Sequence, residues 1–354
     1  MNILVIGKFY VEGFALHIAD TLGTMGHSVT RFEPGNRTDR LAGKFGQRFD
    51  QIAGILYSTS DGIPKIRAHR MKRLWRSLES HAIEIVIVCH DLLWPAEVAD
   101  LKRRTGGLVV MWFPDHLGTI GRGLFMNAKY DALFFKDPYI VHRLEHVLRS
   151  PCFYLPECFN PEKHWLPEEA LDGNSVYNCD IGTAGNSHAY RIAFLQNLEG
   201  YDVKQWGNYP PLWLPTGAVA GMHQGRQALE HEKVRAFRGA KIVINNLHYG
   251  EVWGVNVRTF EAAGAGAFQM VDWRPGLQQL FDDGRELISF RTMHELKENI
   301  DYWLPREGER RTIGEAAMKR AHADHTYRHR LELLLATLMD GKQGFPLPDI
   351  HNCA

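Results

Sequence analysis

Short, continuously apolar runs alternate with amphipathic stretches along this chain, and that alternation constrains its fold more than any other feature. Parallel strands buried on both faces read as unbroken apolar runs, and the helices that cross between them read as amphipathic ones. The first half carries such runs at residues 3–6, 28–32, 84–89, 108–113, 132–136 and 152–155, with helical stretches at 15–25 and 67–80. A second series at 177–181, 203–206, 241–244, 267–271 and 287–290 is interleaved with helices expected over 188–198, 224–240 and 259–263. Between the series, residues 159–178 hold Pro161, Pro167 and Gly173 and little hydrophobic period, which places a domain boundary there. The pattern predicts an α/β protein of two βαβ-type domains in tandem, over 1–165 and 166–323. Two helices close it, at 310–323 and 327–338; residues 324–340 are read as a separate closing helix, and 341–354 as a loose tail with Gly344, Pro346 and Pro348.

Composition narrows the function classes. The 354 residues suit two domains, and 45% hydrophobic with 23% charged residues excludes wholesale disorder. Lys+Arg and Asp+Glu are both 41, so a nucleic-acid or anionic-membrane binder working by bulk charge is disfavoured. No apolar run reaches the ~18 residues of a membrane span. The first residues read as a strand rather than a signal peptide, and the five scattered cysteines form no disulfide framework. The expectation is a cytoplasmic enzyme or binding protein.

In open α/β sheets ligands gather at the C-terminal ends of the strands, around a cleft when two such domains face one another. The loops there carry the functional reading. Gly7 and Gly13 flank the first loop, with Glu12 between them, but the order is neither G-x-G-x-x-G nor a P-loop, which disfavours a nicotinamide-dependent dehydrogenase. His90-Asp91 and Asp115-His116 follow two strands; Asp91, Asp115, His116 or Glu12 could take a proton from an acceptor hydroxyl, or could serve as helix caps and loop salt bridges. In the second half, Gly182, Gly185 and Asn186 precede a helix carrying Arg191, a set that suits a diphosphate and that also occurs in ligand-free turns. Trp206 ends a strand, where it could stack on a nucleobase or pack in the core.

The densest signal runs from Asn245-Asn246 through Asn256, Arg258 and Glu261 to Gly266. Arg258 and Glu261 share a helix face and could form an intrahelical ion pair; alternatively the guanidinium meets a phosphate and the carboxylate a ribose diol. This stretch, Asn256-x-Arg258-x-Phe260-Glu261-Ala262, resembles the C-terminal half of the CgeB-like (spore maturation protein) glycosyltransferases. Leu280-Phe281-x-x-Gly284-x-Glu286 and His325-Thr326-Tyr327-x-x-Arg330 match later motifs of that family in order and spacing. The resemblance implies the GT-B architecture: two Rossmann-like domains facing across a cleft, the N-terminal one on the acceptor side, the C-terminal one holding the nucleotide-sugar, and a terminal helix crossing back. It implies that Glu261 binds the ribose, Arg258 the diphosphate and Asn256 the sugar or phosphate edge. Glu251 and Glu261 have nine intervening residues rather than the seven found in many retaining relatives, so stereochemistry stays open. Thr326 is expected to N-cap the last helix or to couple the lobes.

Eighteen histidines invite a metal, but pairs such as His142/His146 and His325/His329 lack a zinc-binding pattern and are expected to face solvent. The reading is therefore a metal-independent glycosyltransferase with a nucleotide-sugar as co-substrate and no other cofactor, with Gly182, Gly185, Asn186, Arg191, Trp206, Asn246, Asn256, Arg258 and Glu261 on the donor. A sugar-nucleotide epimerase and a non-catalytic two-lobed binding protein are the alternatives.

Overall fold

The computed structural model describes residues 1–34, 62–78, 82–171, 176–211 and 213–349. The expected helix end at 79–80 and tail end at 350–354 lie outside them. The chain divides into two compact units, Met1–Pro114 with Gly121–Phe134, and Asp115–Ile120 with Phe135–Ala354.

The first unit holds β1 (Asn2–Ile6), α1 (Phe14–Thr24), β2 (Ser28–Phe32), α2 (Pro64–Leu78), β3 (Ile85–Cys89), α3 (Pro95–Thr105), β4 (Leu108–Phe113) and β5 (Ala132–Phe135). Its strands run in the order β2-β1-β3-β4-β5, with β1–β2, β1–β3 and β3–β4 parallel. Every residue of β3 is buried, and branched Ile and Val dominate it, which is why it reads as an unbroken apolar run. Helix boundaries follow local chemistry. α3 starts with Pro95 at its first turn, receives Glu97 Oε2 on the Trp94 amide at 2.8 Å, and stops at Gly106 with φ 65°.

The second unit continues with α4 (Pro138–Leu148), β6 (Cys152–Tyr154), β7 (Cys179–Ala184), α5 (Ala189–Gln196), β8 (Val203–Trp206), α6 (Val219–Met222), α7 (His231–Gly239) and β9 (Ala240–Asn245). α8 (Val257–Gly264), β10 (Gln269–Asp272), β11 (Ile288–Phe290), α9 (Met293–Trp303), α10 (Glu307–Asp324) and α11 (Tyr327–Asp340) complete it. The sheet order is β11-β10-β9-β7-β8, all parallel. Counted from β1 in the first unit and from β7 in the second, whose sheet does not include β6, each repeats the doubly wound order 2-1-3-4-5. Ile181, Ile242, Ile244 and Met270 fill one side of the second sheet, and Trp206, Phe237, Val243 and Ala262 another cluster.

Three expectations change. The helix expected over 224–240 begins only at His231, because the backbone before it is used by the sheet: Gln224 N donates to Gln205 O at 2.9 Å. The strand expected over 177–181 runs from Cys179 to Ala184, which draws Gly182 into the sheet. The tail is fastened as far as it is described: Phe345 N donates to Tyr154 O at 2.9 Å and Gln279 Nε2 to Leu347 O at 2.8 Å. Thr326 caps α11 through His329 N, as the sequence suggests.

Candidate functional site

In a 2-1-3-4-5 sheet the strand order reverses between the first and third strands, and that reversal opens a crevice beyond their carboxyl ends. In the second unit those strands are β7 and β9. Beyond β7 come Gly185, Asn186, Ser187 and His188, then α5; β9 ends at Asn245, and Asn246 follows.

Gly185 adopts φ 133°, a backbone state open chiefly to glycine, and a Cβ there would collide with Nη2 of Arg258 and Nη1 of Arg191. Two guanidiniums from different helices thus converge on one turn at the start of α5. Arg191 is 3% exposed. Its Nη1 reaches Ala184 O at only 3.4 Å, and its Nε has no hydrogen-bond partner among the described residues. Arg258 donates to Asn245 Oδ1 at 2.7 Å. Among the described residues neither has a carboxylate within ion-pair distance, so the intrahelical Arg258–Glu261 pair is not formed. Burial first, and then the neighbouring guanidinium, push the Arg191 pKa down; burial also lowers that of Arg258. Arginine does not lose its proton in proteins, so both groups remain cations in this buried setting.

An amide network fixes the second guanidinium. Asn245 Nδ2 donates to Asn256 Oδ1 at 3.0 Å and to Thr259 Oγ1 at 2.8 Å, and Asn256 Nδ2 returns a bond to Asn245 Oδ1 at 3.1 Å. Asn246 is 2% exposed with an unpartnered Nδ2. One helical turn beyond Arg258, buried Glu261 accepts from Lys233 Nζ at 2.9 Å and lies 3.5 Å from His164 Nε2.

The loop after β9 adds a layer of contacts that the sequence did not show. Glu251 is buried, accepts from Lys136 Nζ at 2.8 Å through one oxygen and leaves Oε2 without a partner among the described residues. Burial lifts the pKa of nearby Glu157 to about 8, against the lowering pull of Lys136. His116 stacks on His248 with ring centroids 3.8 Å apart, and His188 meets His248 edge-on at 5.2 Å. Burial, then Arg191, brings the His188 pKa down to about 4; burial lowers His116 and His248 as well. All three imidazoles are thereby held neutral near pH 7. The sequence singled out His116 and noted Glu251, but it could not show these contacts, because the partners lie far apart in the chain.

The predicted donor residues divide. Gly185, Arg191, Asn246, Asn256 and Arg258 come together around the end of β7 and β9. Asn186 sits at the exposed edge of the turn, accepting from Asn208 Nδ2 at 2.9 Å. Two expectations are corrected. Gly182 lies inside β7, where a Cβ would approach the Ala240 Cβ at 2.6 Å, so it serves strand packing. Trp206 is 1% exposed in the core with Phe237 and Ala236, leaving no ring face for a base. Of the predicted bases, Asp91 accepts from Leu124 N at 2.7 Å and Phe125 N at 2.9 Å and so caps a short 3-10 turn. Glu12 is half-buried at φ 64°, and Asp115 is half-buried beside His116. His325 does not face solvent: it is buried, its Nε2 on Leu280 O at 2.8 Å, and Arg330 Nη2 donates to its Nδ1 at 2.8 Å.

The fold has known counterparts. The glycosyl transferase-like family profile matches residues 191–336, from Arg191 into the last helix. A glycosyltransferase from Rickettsia africae superposes with a TM-score of 0.66 at 12% identity, over 96% of this chain and 98% of that one. Sucrose-phosphate synthase of Thermosynechococcus elongatus gives 0.67 at 10% identity, over 96% and 100%. The Anabaena protein HepE, solved in complex with UDP-glucose, gives 0.65 at 10%, also over 96% and 100%. The fold is GT-B. At these identities the likeness is one of fold, with each unit carrying a Rossmann-like parallel sheet. No curated protein matches the chain in sequence. Among the described residues no helix is long and apolar enough to cross a membrane.

Proposed function

We propose that this protein is a glycosyltransferase that moves a sugar from a nucleotide-diphosphate donor to a hydroxyl-bearing acceptor, and that the second unit holds the donor. The observation that carries the reading is the convergence of Arg191 and Arg258 on Gly185, at a helix start, with no carboxylate paired to them among the described residues. Support comes from the glycosyl transferase-like profile over 191–336 and from a GT-B relative of fold that was solved with UDP-glucose. The three ordered motifs shared with the CgeB-like glycosyltransferases agree with it.

The chemistry follows from where charge develops. As the bond from the anomeric carbon to the leaving oxygen breaks, negative charge grows on the diphosphate. Fixed guanidiniums in a desolvated site stabilise that charge more than they stabilise the ground state. The α5 N-terminus adds its dipole. In this reading the two arginines take the place of a divalent metal, and release should persist in chelator. Glu261, held by Lys233, accepts from the ribose hydroxyls. Asn246 and the free oxygen of Glu251 are left for the sugar. If the anomeric centre inverts, His116 is the best-suited base among Glu12, Asp91, Asp115 and His116: it is held neutral, and its Nδ1 is unpartnered.

A panel of nucleotide-sugars, scored for thermal stabilisation and nucleoside diphosphate release with and without cell extract as acceptor, tests the reading. The expected result is stabilisation by at least one donor, lost in Arg258→Ala and Glu261→Ala, and release that depends on extract. No stabilisation by any donor would contradict it. Conversion of the donor without acceptor would point to an epimerase.

A further inference from the structure

The zero net charge of the chain conceals a local extreme. Over its whole length α2 carries Lys65, Arg67, Arg70, Lys72, Arg73 and Arg76 and no acidic residue. These cations do different things. Arg67 turns into the first unit, where its Nε donates to Glu97 Oε1 at 2.6 Å, and Met71 and Leu74 bury beside it on the same face. On the opposite face Lys65, His69, Lys72 and Arg76 recur at intervals of four, three and four, which is the repeat of a single helix stripe. All four are exposed, and none has an ion-pair or hydrogen-bond partner among the described residues. Arg73 flanks the stripe, exposed and lying over the Phe32 ring. At the start of the helix Ile63 and Ile66 are also exposed, at 47% and 37%.

A stripe of cations with no partner among the described residues suits a negative surface, since like charges at helical spacing otherwise repel. Two polyanions fit the charge, a nucleic acid and an anionic bilayer. The isoleucines decide between them. Nucleic-acid backbone offers them no apolar partner, whereas the boundary between headgroups and acyl chains accepts aliphatic side chains next to lysines and arginines. We propose that the exposed face of α2 docks the protein on an anionic lipid surface, with Lys65, Lys72, Arg73 and Arg76 against the headgroups and Ile63 and Ile66 entering the interface. The attachment is peripheral and reversible, and it does not rest on the glycosyl-transfer reading.

The test is co-sedimentation of the full chain with phosphatidylcholine vesicles and with vesicles of phosphatidylcholine mixed with phosphatidylglycerol. Binding is expected only to the mixed vesicles, falling as salt rises. The triple variant Lys65→Glu/Lys72→Glu/Arg76→Glu should bind them at least about tenfold more weakly, and Ile66→Ser should weaken binding with the charge of the stripe unchanged. Should the triple variant fold poorly, the single changes Lys65→Gln, Lys72→Gln and Arg76→Gln give a graded series, each weakening binding. Donor turnover in vesicle-free solution is expected to be unchanged in all of them. No binding to mixed vesicles, equal binding to both kinds, binding unaffected by the substitutions, or tighter capture of single-stranded RNA than of vesicles would overturn the proposal.

Discussion

The two units repeat one sheet order and so present two equivalent crevices, yet they furnish them in opposite ways. In the first unit the reversal lies between β1 and β3. There Gly7 lets α1 and β3 approach, since a Cβ would collide with that of Ala15 and come within 3.1 Å of the Cys89 Cβ. Asp91 beyond β3 is engaged by two backbone amides. In the second unit the equivalent glycine, Gly185, makes room for two guanidiniums, and beyond β9 Asn246 Nδ2 and Glu251 Oε2 have no partner among the described residues. The same βα turn is a packing device in one place and the meeting point of two guanidiniums in the other. Topology supplies a crevice; the side chains that converge on it decide whether it binds anything.

Substitutions at the two glycines would break this contrast most sharply. Gly185→Ala should weaken donor or nucleoside diphosphate binding by about 100-fold or more, the equivalent of two lost charge-assisted hydrogen bonds at ~1.5 kcal/mol each. Gly7→Ala should leave that affinity unchanged and lower unfolding stability by ~1–3 kcal/mol through overpacking, read by calorimetry and by denaturant titration. Arg191→Met comes next: affinity should fall by roughly tenfold or more, while the ligand-free protein becomes no less stable, because a desolvated like charge has been removed. Asp91→Ala should show the reverse, a stability loss of ~1–2 kcal/mol from the missing cap with donor affinity intact.

The smallest effect is on pH. His188 has its pKa depressed in the folded state to about 4, so the unfolded chain binds the proton more readily. Stability should therefore be highest above the ordinary histidine value of 6.5 and decline as pH falls from there toward 4, the decline being smaller in His188→Asn. A bound anion opposes the depression, so pyrophosphate should bind more tightly at the acid end of that window.

Much of the architecture was legible because buried parallel strands announce themselves without alternation: β3, β4 and β8 fall where the apolar runs lie. The capping threonine of α11 was equally plain, since its role is decided by residues three positions away. Roles that depend on distant partners were not. Gly182 and Trp206 look the same in sequence whether they meet a ligand or the core, and only the approach of Ala240 and Phe237 resolves them. Arg191 and Arg258 were each visible as cations near a turn, but sheet order brings them to one point. His116 stood out as a candidate base and Glu251 was noted beside Glu261, but the pairing of Glu251 with Lys136, 115 residues away, and the stacking of His116 on His248 left no local trace. The helix expected over 224–240 failed for a related reason: the β8 edge claims the backbone of its first residues.

The most direct test of the account is a crystal structure with a nucleoside diphosphate or pyrophosphate bound. The diphosphate should lie beyond β7 against Gly185, within hydrogen-bond distance of both Arg191 and Arg258 and of the first amides of α5. A diphosphate bound elsewhere, or touching neither guanidinium, would contradict it.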